Sequence, residues 1–127
     1  MRLESPLGRA LGHGSARTGA NHWIAQRLTA AGLVPLGLWF AFSLASLPHG
    51  NFVAVAAWIA EPLHAILLIL LVLTLVYHSM LGLQVIVEDY VHGALGTLAL
   101  IAVRFAHVIL AVAGIYSIVV TSLGAGR

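Results

Sequence analysis

Apolar residues form three long runs along the chain, separated by short polar segments. The first covers 28–47 and the second 63–87, and the third extends over 93–123 with Arg104 as its one charged residue. A helix needs about 20 residues to cross the hydrocarbon core of a bilayer. We therefore predict three transmembrane helices, at about 27–47, 63–87 and 98–121. A shorter apolar piece at 52–60 is too brief to cross and is expected to lie along the membrane interface.

Turn and helix-start signals separate the first two runs. The segment 48–51 reads Pro-His-Gly-Asn and predicts a turn, while Pro62 after Glu61 suits the first turn of a helix. Pro35 lies inside the first run, where membrane helices tolerate proline if neighbouring groups satisfy the freed backbone. Trp23 fits an interfacial aromatic belt, and Trp39 is interpreted as a packing residue.

Composition defines the class of protein. The chain is 61% hydrophobic and only 8% charged, whereas soluble domains carry about 25% charged residues. We predict an all-α integral membrane protein with a polar N-terminal arm, 1–26, and one membrane domain, 27–127. The arm has no apolar stretch typical of a secretory signal and is interpreted as a flexible segment that orders on a partner. The chain has no cysteine, so it cannot supply thiolate ligands or disulfides. Its net charge of +2 gives no indication of nucleic-acid binding.

The positions of the arginines predict the orientation. Arg2, Arg9, Arg17 and Arg27 precede or begin the first span, whereas the loop between the first two spans has no lysine or arginine. The positive-inside rule places such an N-terminus in the cytoplasm. Three spans then put the loop at 88–92 in the cytoplasm as well, and the C-terminus outside.

His78 is the main candidate for chemistry. It lies near the middle of the uncharged run 63–87, where a titratable side chain is costly and therefore indicates a functional site. Imidazole is also a common axial ligand of haem iron. The alternative is a buried imidazole that bonds a backbone group or a serine. Gly82, one turn further, leaves room for a flat macrocycle or a neighbouring helix and favours ligation.

Asp89 and Tyr90 lie at the end of the same predicted helix. Positions 78 and 89 are about three turns apart on one stripe, roughly 16 Å along the axis. The helix would therefore present a buried ligand together with a carboxylate and a phenol at the membrane surface. Taken alone, this acidic and aromatic pair is more typical of an interfacial cap, because tyrosine is enriched at that depth.

Five other histidines are not expected to bind a cofactor. His64 is not expected to be a ligand, and His107 is expected to form an interhelical hydrogen bond. His13, His22 and His49 are interpreted as surface residues.

Two segments resemble one known family. They are the junction His22-Trp23-Ile24-Ala25-Gln26-Arg27-Leu28-Thr29-Ala30 and the motif formed by His78, Gly82, Glu88, Asp89 and Tyr90. Both are similar to the small membrane-anchor subunit of succinate dehydrogenase (complex II), and the resemblance extends from Gly8 onward. Glu88 before the Asp-Tyr pair and His92 after it depart from the family pattern.

The resemblance implies roles for four residues, and the chemistry of haem propionates adds Arg104 as a fifth candidate. His78 would be an axial ligand of haem b, with the second ligand supplied by another membrane-anchor (cytochrome b) subunit. Tyr90 would contact ubiquinone, with Asp89 in the same quinone region. Arg27 would lie near the haem propionates and the quinone pocket. Arg104 is either a second propionate ligand, since guanidinium binds carboxylates bidentately, or a simple membrane anchor.

The resemblance also implies partners and a function. The chain would be part of a heteromeric helical bundle in the bacterial inner membrane, rather than the mitochondrial one, and would bind an iron–sulfur subunit and a flavoprotein subunit. It would help to pass electrons from succinate oxidation to quinone and would not be catalytic alone. Two alternatives stay open: an independent di-haem cytochrome that uses His64, His78 and His107, and a haem-free structural anchor.

The predicted topology can be tested with reporter fusions. A reporter that is active only in the cytoplasm should be active at the N-terminus and inactive at the C-terminus, because four of the arginines lie at the N-terminal side of the first span. Protease access in sealed vesicles provides an independent control. Both termini on one side of the membrane would contradict a topology of three spans.

Overall fold

The computed structural model describes residues 16–48 and 50–124. This part of the chain contains four helices: α1, Ala16–Ser46; α2, Phe52–Ala60; α3, Pro62–Tyr90; and α4, Gly93–Gly124. The segments Gly19–Ser46, Pro62–Tyr90 and Gly93–Gly124 are long and apolar enough to cross a membrane. The predictions of an all-α fold and of three membrane-spanning helices are thereby confirmed, and the apolar piece predicted at 52–60 forms the short helix α2.

The first long helix extends beyond the predicted first span. It begins at Ala16, so it includes part of the predicted arm as well as the predicted span that begins near residue 27. Alanine, glutamine and arginine in this segment are good helix formers, so the helix can continue where the apolar pattern has not yet begun. The flexibility predicted for residues 1–15 lies outside the described residues. The helix also continues through Pro35.

Glycines occupy the two turns where the backbone requires them. Gly50 has a φ of 75° and Gly93 a φ of 71°, which L side chains rarely adopt. Asn51 then caps α2, because its side-chain oxygen accepts a hydrogen bond from the Ala54 N–H at 3.1 Å. Gly96 is buried, and a Cβ at that position would clash with the Val91 carbonyl oxygen. The turn between α3 and α4 therefore depends on glycine twice.

The helices α1 and α3 pack in antiparallel orientation. Small residues and hydroxyl groups meet at the interface, so the two backbones can approach closely. The facing pairs are Gln26 with Gly82, Thr29 with His78, and Gly32 with Thr74. In these pairs the residue numbers rise along α1 and fall along α3, as expected for antiparallel helices. The three pairs together define the register of the interface.

The helix α4 packs against α3, which is the central helix of the chain. A Cβ on Gly114 would lie 3.0 Å from a Val72 methyl group, so this contact requires a residue with no side chain or a shift of its neighbour. In the described part of the chain, no Cα atom of α1 lies within 8 Å of a Cα atom of α4. The three long helices thus form an open arrangement around α3, and Leu68, Leu71 and Leu81 of α3 are its buried apolar side chains.

Candidate functional site

His78 shares a hydrogen bond with a threonine of the neighbouring helix. Its Nδ1 atom lies 2.9 Å from the Thr29 hydroxyl oxygen, and the ring is half-buried. Within the described residues, no hydrogen bond to Nε2 is present, so one edge of the imidazole is fixed and the other is available. A fixed Nδ1 with an available Nε2 is the usual arrangement of a metal-binding histidine.

The space beside Gly82 is filled by α1. A Cβ on Gly82 would lie 3.6 Å from the side-chain nitrogen of Gln26. Of the two occupants predicted from the sequence, a macrocycle or a neighbouring helix, the structure places the neighbouring helix there. The glycine allows α1 to approach the segment that carries His78.

A polar cleft lies between the N-terminal part of α1 and the C-terminal part of α3. It has a volume of about 300 Å³ and is lined by Gly19, His22, Gln84 and Glu88. The Gln84 side chain donates a hydrogen bond to Glu88 at 2.8 Å. His22 Nε2 and Gln26 Oε1 are buried with no hydrogen-bond partner among the described residues. His22, interpreted from the sequence as a surface residue, is half-buried, and its Nε2 atom is buried beside the cleft.

The other candidate residues are exposed. Asp89 and Tyr90 are the last two residues of α3, and the tyrosine side chain is 81% exposed. The guanidinium of Arg27 lies 4.4 Å from the centre of the Trp23 ring, a cation–π contact. Arg104 is exposed on α4. The structure thus brings His78 together with Thr29 and leaves the four remaining candidates on the outside of the chain.

His107 and His64 already have hydrogen-bond partners. His107 is buried, and its Nδ1 and Nε2 lie 2.7 Å from the Val103 carbonyl oxygen and 3.2 Å from the Ser79 hydroxyl. The predicted interhelical hydrogen bond of His107 is confirmed. His64 lies 2.9 Å from the Trp58 carbonyl oxygen through Nδ1 and stacks on the Trp58 ring with centroids 4.7 Å apart.

The aromatic cluster around His64 joins three helices. Trp39 of α1 stacks on Trp58 of α2 at a centroid distance of 5.7 Å, which confirms Trp39 as a packing residue. His64 of α3 completes the cluster. It attaches the short helix α2 to both neighbouring membrane-spanning helices.

Sequence reasoning gave no role to Thr29 or Gln26, although both belong to the junction that carries the family resemblance. Their importance depends on which residues of α3 they face, and the sequence of α1 alone does not contain that information. The available signal was their helical spacing: Gln26, Thr29 and Gly32 follow at intervals of three residues, which places them on one face of the helix. Among the described residues, no group of three or more His, Asp or Glu side chains could hold a metal ion.

Comparison with known proteins identifies the family. The model of the succinate dehydrogenase/fumarate reductase transmembrane subunit family matches residues 1–120. No solved structure gives a significant match. Similar proteins named succinate dehydrogenase hydrophobic membrane anchor subunit occur in Rickettsia species.

Three of these relatives show how much of the chain the similarity covers. The Rickettsia bellii protein is 37% identical over 113 residues, which cover 87% of this chain and 89% of the relative. The Rickettsia conorii protein is 30% identical over 81% of this chain and 84% of the relative. The Rickettsia typhi protein is 31% identical over 72% of this chain and 74% of the relative.

The chain therefore belongs to the succinate dehydrogenase/fumarate reductase transmembrane subunits, and within them to the membrane anchors of succinate dehydrogenase, which are non-catalytic subunits of complex II. The bacterial relatives and the three apolar helices make it a bacterial multi-pass membrane protein.

Proposed function

We propose that this anchor co-ligates haem b through His78 and helps to form the site where ubiquinone is reduced. The observation that carries the proposal is the orientation of His78 in the membrane-spanning part of α3. Its Nδ1 atom is engaged by Thr29 at 2.9 Å, and this leaves Nε2 for an iron ion. The family resemblance of the motif around His78 assigns the same role.

The donor set fits half of a haem site. Haem supplies one-electron redox chemistry when it is bound. This chain would contribute one imidazole, that of His78. As the family resemblance implies, the other membrane-anchor subunit would supply the second ligand. Arg27 and Arg104 are exposed, so both guanidinium groups are accessible to propionates at that interface.

The end of α3 is the proposed quinone region. Tyr90 can donate a hydrogen bond from its phenol to a quinone carbonyl, and Asp89 with His92 can deliver the protons that quinol formation needs. Because Tyr90 is 81% exposed in this chain, partner subunits have to cover it to create a closed pocket. Glu88, one residue before Asp89, lines the polar cleft beside α1.

The open arrangement of helices supports assembly with a second anchor subunit. The helices α1 and α4 do not approach each other, and many large apolar side chains of α1, α3 and α4 are exposed. In the proposed assembly the N-terminus and the end of α3 face the cytoplasm of a bacterial cell. The iron–sulfur subunit docks on that face, and the flavoprotein subunit that oxidises succinate binds to it.

A di-haem cytochrome is less well supported than a shared single haem. Both ring nitrogens of His107 already have hydrogen-bond partners, and His64 is stacked against Trp58. The optical spectrum of the reduced complex distinguishes a haem-free anchor from one that binds haem.

The haem assignment predicts a selective effect on the b-type optical spectrum. His78→Ala should abolish or severely change the spectrum of the dithionite-reduced complex, because it removes an axial ligand. His64→Ala and His107→Ala are the matched controls and should leave the spectrum largely intact. A normal reduced-haem spectrum in the His78 variant would contradict the assignment, and a colourless wild-type complex would favour the haem-free anchor.

The quinone assignment predicts that Tyr90→Phe slows quinone reduction and leaves succinate oxidation with an artificial acceptor unchanged. The substitution removes one hydroxyl and almost no volume, so assembly and haem content should not change. Quinone reduction should slow by a factor that corresponds to about 1–3 kcal/mol, the cost of leaving a quinone oxygen unpaired. Succinate oxidation with an artificial acceptor that takes electrons upstream should be unchanged in the same membranes.

Two outcomes would remove the support for Tyr90. Equal quinone reductase rates in the variant and the wild type would reduce this residue to an interfacial anchor. An equal loss with both acceptors would show that the substitution damages assembly rather than the quinone site.

A further inference from the structure

Thr29 of α1 forms a polar contact with His78 of α3. The Thr29 hydroxyl oxygen is 2.9 Å from His78 Nδ1, and both side chains are half-buried. At the neighbouring positions of the same interface, Gly82 faces Gln26 and Gly32 faces Thr74, and a Cβ added to either glycine would be in ordinary van der Waals contact with that side chain. The hydroxyl of Thr29 is thus specifically placed at the histidine.

The geometry fixes the direction of this hydrogen bond. The Thr29 hydroxyl also lies 2.8 Å from the carbonyl oxygen of Ala25 and 3.0 Å from that of Gln26. Carbonyl oxygens only accept hydrogen bonds, and a hydroxyl has one hydrogen to donate. That hydrogen points to the backbone of α1, so the oxygen accepts a hydrogen bond from His78 Nδ1–H. The neutral ring then has its lone pair on Nε2.

We propose that Thr29 is a positioning residue that sets the tautomer, the ring orientation and the electron donation of His78 as an iron ligand. The inference rests on the proposed haem ligation by His78. An acceptor at Nδ1–H raises the basicity of a metal-bound imidazole. A more basic ligand stabilises ferric iron relative to ferrous iron, so Thr29 should lower the midpoint potential of the haem.

The segment of α1 around Thr29 is well placed to keep this geometry constant. The hydroxyl is anchored to the helix backbone one turn earlier, at Ala25 and Gln26. The side chain of Gln26 packs against Gly82, one turn beyond His78 on α3. Contacts on both sides of the histidine therefore restrain the two helices against sliding, and the acceptor stays opposite Nδ1.

The experiment is a redox titration of the haem in the assembled complex that carries Thr29→Val. Valine keeps the branched shape but offers no acceptor, so the midpoint potential should shift to a more positive value and the low-spin haem signal in electron paramagnetic resonance should change. Thr29→Ser restores the hydroxyl and should restore both properties. A role of Thr29 in packing alone would move neither property while the complex remains assembled.

Thr74→Val is the matched control. Thr74 lies in the same interface, beside Gly32, and its hydroxyl donates to the Leu70 carbonyl oxygen at 2.7 Å. The same substitution there removes a hydroxyl that does not contact His78, so the potential should equal that of the wild type. If Thr29→Val does not assemble, Thr29→Ala compared with Thr29→Ser takes its place in the same titration.

The outcomes distinguish this inference from the haem assignment. A potential and a resonance signal unchanged by loss of the Thr29 hydroxyl, in a complex whose haem depends on His78, would overturn the role of Thr29 alone. A shift of equal size in Thr74→Val would assign the effect to general helix packing and would also overturn it. A haem that persists in His78→Ala would overturn the ligation by His78, and with it the inference.

Discussion

The lipid interior offers no hydrogen-bond partners, and this constraint decides how the helices of the chain pair with one another. Imidazole and hydroxyl groups within the apolar helices have to be satisfied inside the protein. His107 meets Ser79 across the interface of α3 and α4, and His78 meets Thr29 across the interface of α1 and α3. Each of these polar contacts lies beside positions where small residues allow close approach. The central helix α3 thus has a defined register on both sides.

The same constraint indicates where the chain is incomplete. His22 Nε2 and Gln26 Oε1 are buried and have no partner among the described residues, and both lie in the segment of α1 next to the polar cleft. Buried polar groups without a partner are costly. Ordered water usually satisfies such groups inside proteins. Tyr90 at the end of α3 is 81% exposed, and in the proposed quinone pocket this subunit would supply one wall and partner subunits the others.

Much of the fold could be predicted from the sequence because the apolar runs are long and end at clear signals. Pro62 begins α3 and Gly93 reverses the chain before α4, as expected for these residue types. The start of α1 could not be predicted, because its first turns are polar and carry no hydrophobic periodicity. His107 could be interpreted correctly because a buried imidazole has to find a partner.

The site was harder to predict than the fold. His78 could be selected from its depth alone, since a titratable group within an uncharged run has few explanations. The roles of Asp89, Tyr90 and Arg27 came from the family resemblance, and they stay predictions. Thr29 and the burial of His22 could not be found from the sequence. Both depend on the antiparallel register of α1 against α3, which arises from tertiary packing.

The central claim is that this chain holds half of a haem site. Haem content per copy of the chain, measured after expression alone and after expression with the second membrane-anchor subunit, tests that claim most directly. Stoichiometric haem is expected only when both anchors are present, because each anchor would supply one of the two protein ligands of the iron. Stoichiometric haem on the chain alone, or a complete complex without haem, would contradict it.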